Sequence, residues 1–90
     1  MEIIVRKELR RPGKRLVAIL AINVRRYRRS RGISQERLAE LCGLHRTYVG
    51  SVERAERNVT LSTLEAIAQG LGISVSALIT RKDDEHKRQG

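Results

Sequence analysis

Ninety residues with 19 Lys and Arg against 10 Asp and Glu give a formal net charge of +9, and 40% of the chain is hydrophobic without one Phe or Trp. That size allows one small domain with an aliphatic core, marginal enough alone that burial of apolar surface in a dimer is expected. The charge points to a polyanion, nucleic acid or an anionic membrane surface; a single cysteine excludes an internal disulfide and fits a reducing cytoplasm, and no apolar run reaches the length of a membrane span.

Residues 1–15 read as a basic arm. Ile3, Ile4 and Val5 suit a short strand, and Pro12 and Gly13 then break regular structure. Arg6, Lys7, Arg10, Arg11, Lys14 and Arg15 leave two uses open, contact with phosphates or a minor groove, and a flexible or dimer-contacting role. The apolar stretch from Leu16 to Ile22 is followed by Asn23 and arginines in place of a cleavage site, so it is not read as a signal peptide.

A first helix is expected from about Lys14 to Arg31. Leu16, Ile19, Leu20, Asn23, Val24 and Tyr27 share one face of it. Arg25, Arg26 and Arg29 lie mostly off that face, either solvated or in contact with phosphates, and suit the negative end of the helix dipole. Gly32 ends this helix, and Ser34 caps the next.

The stretch Gln35 to Arg54 reads as two short helices joined by a glycine turn. Leu38, Ala39, Leu41 and Cys42 form an apolar stripe. Gly43 tolerates positive φ and stops the helix. Val49 and Val52 give a second stripe, and Ala39 is small enough to let the two helices cross. His45, Arg46, Thr47, Gly50, Ser51 and Arg54 remain as a polar face with donors, a cation and no bulky aliphatic group. Such a helix on a rigid partner fits the DNA major groove. The alternative is an ordinary helical hairpin whose polar face meets water.

A loop follows from Ala55 to Val59, with Arg57 and Asn58. Thr60 caps a fourth helix, Leu61 to about Leu71, with Leu61, Leu64, Ile67, Ala68 and Leu71 as its stripe. Ser74 caps a short fifth helix carrying Val75, Leu78 and Ile79. The domain is thus expected over residues 16–80, and residues 81–90 as a charged, disordered tail. The expected fold is all-α, five helices with a helix-turn-helix in the second and third, the lambda-repressor-like arrangement.

The segment SQERLAELCGLHRTYVGSVERAERNVTLSTLEAIAQGLGIS resembles the Xre family of bacterial and phage regulators. It is most similar to the controller proteins of restriction-modification systems, where a segment like HRTYVGSVERAERN also occurs. The resemblance covers about residues 19 to 80. It implies that Arg46, Thr47 and Ser51 read bases. It implies that Gln35, His45, Tyr48, Arg54, Arg57 and Asn58 lie at the DNA backbone or groove edge, and that Arg28 and Glu53 form a structural ion pair. Members usually have Gly where this chain has Ala55; a left-handed backbone there would cost Ala about 1 kcal/mol or more. Otherwise the third helix runs on.

Arg46 could place two donors on guanine O6 and N7, and Thr47 and Ser51 could donate or accept. Gly50 suits either close approach to DNA or helix packing. One recognition helix reads few base pairs, so a homodimer on a palindromic operator of double-stranded DNA is expected. Leu71, Ile73, Val75, Leu78 and Ile79 are its candidate interface, and the same group can complete the monomer core; both uses are expected, with different residues serving each. No cofactor, metal or small-molecule ligand is expected. Cys42 and His45 have a C-x-x-H spacing, but no second ligand pair accompanies them, and neither paired carboxylates nor a Gly-rich phosphate loop suggests an enzyme. The rival readings are an antitoxin or phage-type repressor of the same family, and a basic amphipathic protein on a membrane surface.

Overall fold

The computed structural model describes residues 13–81. Most of the basic arm, with its expected strand, and the tail after Arg81 lie outside the described residues. Five helices follow one another: α1 (Lys14–Ser30), α2 (Gln35–Cys42), α3 (Arg46–Glu53), α4 (Leu61–Leu71) and α5 (Val75–Leu78). No strand occurs among the described residues. The order and bounds match the five-helix, lambda-repressor-like expectation.

Local chemistry sets the helix starts. Ser34, Thr60 and Ser74 each accept a hydrogen bond from the backbone N–H of the third residue of the helix they precede, at Arg37, Thr63 and Ala77. The helix ends share one device. After α2, Leu44 N–H donates back to Ala39 O at 2.9 Å while Gly43 takes φ +69°. The same six-residue closure recurs after α1, α3 and α4, and it needs one left-handed residue each time. After α3 that residue is Ala55, at φ +60°. The helix does not run on, so the chain carries an alanine in a backbone conformation that disfavours it.

The core gathers Leu20 and Val24 of α1, Leu38 and Ala39 of α2, Val49 and Val52 of α3, and Leu64, Ile67, Ala68 and Leu71 of α4, closed by Leu78 of α5. α2 packs on α3 and α4, and α1 on α3, α4 and α5. A Cβ on Gly70 would collide with Cys42 Sγ and lie 3.4 Å from Cys42 N, so α4 crosses α2 almost backbone to backbone. Asn23 is buried on α1 and donates to Leu78 O at 2.8 Å and Thr80 O at 2.9 Å, tying down the end of α5.

Three stripe residues of α1, α2 and α4 are exposed. Leu16 lies on the exposed first turn of α1, Leu41 is exposed, and Leu61 is 80% exposed at the start of α4. Helical periodicity names a face but not how far the neighbouring elements extend along it. The expected dimer surface also needs correction. Leu71 and Leu78 are fully enclosed by the monomer core and are not available to a partner. Ile73 and Val75 are half-buried against that core, and Ile79 is exposed. Among the described residues no helix is long and apolar enough to cross a membrane.

Candidate nucleic-acid interface

The outward helix α3 is held from below by a polar clasp. Glu53, its last residue, is only 3% exposed. Arg28 of α1 donates to it through Nε to Oε2 at 2.6 Å and through Nη2 to Oε1 at 3.0 Å. Gln35, the first residue of α2, donates to Oε1 at 3.1 Å. Arg25 donates to the Glu53 backbone carbonyl at 2.9 Å, and Arg28 Nη1 to Ile33 O at 2.9 Å. Burial alone would push the Glu53 carboxyl up; the hydrogen bonds from Arg28 and Gln35, with the charges of Arg28 and Arg25, outweigh it and hold the carboxyl below its ordinary value. The same hydrogen bond to Glu53 raises Arg28 above its ordinary value, against the opposing effect of burial.

The clasp bears on three expectations. Arg28 and Glu53 do form the pair that the resemblance implied. Gln35 directs its amide N–H to Glu53 while the residue itself stays exposed. Arg25, expected to be solvated or on phosphate, closes the C-terminal end of α3 instead, where unpaired carbonyls favour a cation.

His45 precedes α3 as its cap: Nδ1 accepts from Thr47 N at 3.2 Å and faces Thr47 Oγ1 at 2.7 Å. A histidine caps where Ser, Thr, Asp or Asn is usual, so the sequence pattern did not single it out. Arg46 and Thr47 then open α3 with exposed side chains. They border a depression of about 660 Å³ between the start of α2 and the face of α3, floored by Gly50 and flanked by Arg54, Gln35 and Glu36. A Cβ on Gly50 would lie 3.1 Å from Arg54 Nη1 and 3.6 Å from Gln35 Oε1. Gly50 therefore keeps the depression open beneath two side chains. Arg46 Nη1 lies 3.2 Å from Glu36 Oε2, and Arg54 Nε 3.2 Å from Glu56 Oε2.

Ser51 does not join Arg46 and Thr47 at the surface. It is 4% exposed. Its hydroxyl donates to Tyr48 O at 2.7 Å and accepts from Arg57 Nε at 2.9 Å. The Arg57 guanidinium lies over the Tyr48 ring, 5.2 Å from its centre. Ser51 thus braces Arg57 instead of facing a groove, and it leaves the base-reading set. Arg57 and Asn58 are exposed beyond the left-handed turn at Ala55. Among the described residues, no three His, Cys, Asp or Glu side chains gather as a metal site would require.

The arrangement is a helix-turn-helix: two short packed helices, joined by Gly43, Leu44 and His45, with the first turn of the second helix exposed. The helix-turn-helix family HTH_3 matches residues 24–78, and the chain belongs to it. Control protein C.SmaI of Serratia marcescens is 64% identical over 64 residues, 71% of this chain and 76% of that protein. The crystal structure of the hypothetical transcription factor NHTF from Neisseria superposes with a TM-score of 0.78 at 42% identity, covering 87% of this chain and 91% of that one. The restriction-modification controller protein C.Esp1396I, solved as a tetramer in complex with its natural 35 base-pair operator, superposes with a TM-score of 0.66 at 35% identity over 70% of this chain and 83% of that one.

Proposed function

We propose that the chain is a sequence-specific DNA-binding transcription regulator of the restriction-modification controller type, acting as a homodimer on a palindromic operator in the cytoplasm. The observation that carries this reading is the outward placement of Arg46 and Thr47 on a helix whose far end is clamped by Arg28, Gln35 and Arg25 through Glu53. A side chain that reads a base must arrive with little freedom left to lose, and α3 is held at both ends. Arg46 offers bidentate donors to guanine and Thr47 a hydroxyl and a methyl to neighbouring base edges. Arg54, Arg57 and Asn58, exposed at and beyond the end of α3, would meet the phosphates that flank the groove and supply affinity without sequence preference. His45 and Tyr48 serve the edge through their placement of Thr47 and Arg57.

The two-fold partner would use the exposed Ile79 with the half-exposed Ile73 and Val75, together with Ile22, exposed on α1 one residue before the Asn23 that binds the end of α5. Selection of bound duplexes from a random pool, followed by gel shifts on the selected and a scrambled duplex, tests the reading. A palindromic consensus is expected, and Arg46→Ala removes discrimination, about 1–3 kcal/mol per guanine contact. Equal loss on both duplexes for Arg46→Ala would count against it. An adjacent endonuclease and methyltransferase gene would support the controller type; an adjacent toxin gene would favour an antitoxin.

A further inference from the structure

The contact between Arg46 and Glu36 is not required by the fold. Both side chains are about two-thirds exposed, 67% and 66%, with Nη1 to Oε2 at 3.2 Å. The helices that carry them are already joined through Leu38, Ala39, Val49 and Val52. An exposed pair of this kind adds little to stability. Its position is the notable feature. Glu36 is the one carboxylate among the residues lining the depression, beside Arg28, Arg46 and Arg54. Arg28 is committed to Glu53, and Arg54 has Glu56. The acid therefore sits against the very guanidinium that the DNA-binding reading sends into the groove.

We infer that Glu36 is a specificity-determining residue that positions Arg46. The inference rests on the DNA-binding reading above. A guanidinium is a planar fork of several N–H donors. Glu36 engages Nη1 from the side of α2 and leaves the remaining donors free to face guanine O6 and N7. Contact with a guanine edge keeps the Glu36 bond. Contact with a phosphate, the sequence-independent alternative, requires the side chain to swing off Glu36 and leaves an unpaired carboxylate close to the DNA backbone. Glu36 thus favours the complex in which Arg46 finds a base and disfavours the one in which it finds only phosphate. The benefit is a ratio of two affinities rather than tighter binding.

Gel-shift titration of Glu36→Gln and Glu36→Ala, on the selected duplex and on a scrambled one at several salt concentrations, tests this. Glu40→Gln is the charge-matched control: Glu40 lies one turn along the same helix, exposed, and pairs with Arg37 at 3.4 Å. Expected for both Glu36 variants is a rise in affinity for the scrambled duplex and a fall for the selected one, each by up to about fivefold, the usual limit for an exposed pair. The salt dependence on the scrambled duplex steepens by about 0.9 in log–log slope as Arg46 gains a phosphate. Glu40→Gln leaves the ratio of the two affinities unchanged. An equal rise on both duplexes, or the same change of ratio in Glu40→Gln, would overturn the inference, because Glu36 would then act through net charge alone. A loss on the selected duplex with no gain on the scrambled one would also overturn it, by making Glu36 a direct reader of a base. Absence of any preference in the unaltered chain would sink the DNA-binding reading itself, and that result is seen before any variant is made.

Discussion

Arg28 and Glu53 meet fork to fork, Nε on Oε2 and Nη2 on Oε1, across the junction of α1 with the last turn of α3. The carboxylate is almost wholly enclosed and has a third donor in Gln35. Such a pair contributes little net stability compared with well-packed apolar residues, yet removing one member leaves a buried charge without its partner. Its consequence here is geometric. Three elements, α1, the first residue of α2 and the end of α3, converge on one side chain, so α3 cannot tilt without breaking several charge-assisted bonds.

Glu53→Gln is expected to lower stability by about 3 kcal/mol near neutrality, because Arg28 then faces a neutral amide. The pH dependence has a definite sign. The folded-state value of Glu53 lies below its ordinary value of 4.5, so the folded state binds fewer protons than the unfolded chain in that range. The stabilisation is complete above the ordinary value and is lost as pH falls through the lowered one. Urea melts of the parent and Glu53→Gln at a series of pH values should therefore converge on acidification below 4.5. Parallel curves would mean that the carboxylate is not held below its ordinary value.

Ala55→Gly is expected to stabilise the fold. Ala55 occupies the left-handed position of the closure after α3, with Ala55 N–H on Val52 O at 3.0 Å and Glu56 N–H on Ser51 O at 2.9 Å. Alanine loses about 1–2 kcal/mol there, and glycine returns about 0.4–1 kcal/mol of that through the entropy of the unfolded chain. A net gain of about 0.5–1 kcal/mol follows, seen as a melting temperature raised by about 2–8 °C. A fall in melting temperature would show that the turn relaxes in solution.

Gly70 and Cys42 should couple. Gly70→Ala places a methyl group against Cys42 Sγ and close to the α2 backbone. Overpacking of this kind costs about 1–3 kcal/mol. Cys42→Ala removes the sulfur, so the double variant should be more stable than the sum of the single changes by at least about 0.5 kcal/mol. Additive effects in thermal melts would mean that α2 and α4 move apart freely at this crossing.

Much of this fold can be read from short-range chemistry. Ser34, Thr60 and Ser74 announce helix starts through caps that span three residues, and Gly43 and Gly72 announce stops, so the bounds of α2 and α4 follow from neighbours in sequence. What could not be read depends on distant neighbours. Leu41 and Leu61 sit on apolar stripes, but whether a stripe is covered depends on where the facing helix ends. Leu71 and Leu78 fitted a partner surface and the monomer core equally well in the sequence, because the end of α5 is tied down by Asn23, more than fifty residues earlier in the chain. Arg25 gave no sign of reaching the Glu53 carbonyl. Arg46 and Thr47 were legible because they open a helix whose only free side is outward. Ser51 was not: its hydroxyl turns inward because Arg57, returning past the turn at Ala55, offers it a charged donor.

That inward turn separates two roles for Ser51. A serine that read a base would, on change to Ala, relax the sequence preference at one operator position. A serine that braces Arg57 does something else. Without the Oγ, Arg57 keeps only its stacking on Tyr48, and an exposed arginine with one restraint fewer loses more entropy on meeting a phosphate. Ser51→Ala should therefore weaken binding to the selected and the scrambled duplex by similar factors, less than Arg57→Ala does. Arg57→Ala itself should lower the salt slope by about 0.9, one phosphate contact. Adding Ser51→Ala to Arg57→Ala should change neither affinity further, since the hydroxyl acts on DNA only through that guanidinium. A preference relaxed at one base pair by Ser51→Ala, still present in the Arg57→Ala background, would return Ser51 to the groove and require α3 to rotate about its axis when it binds.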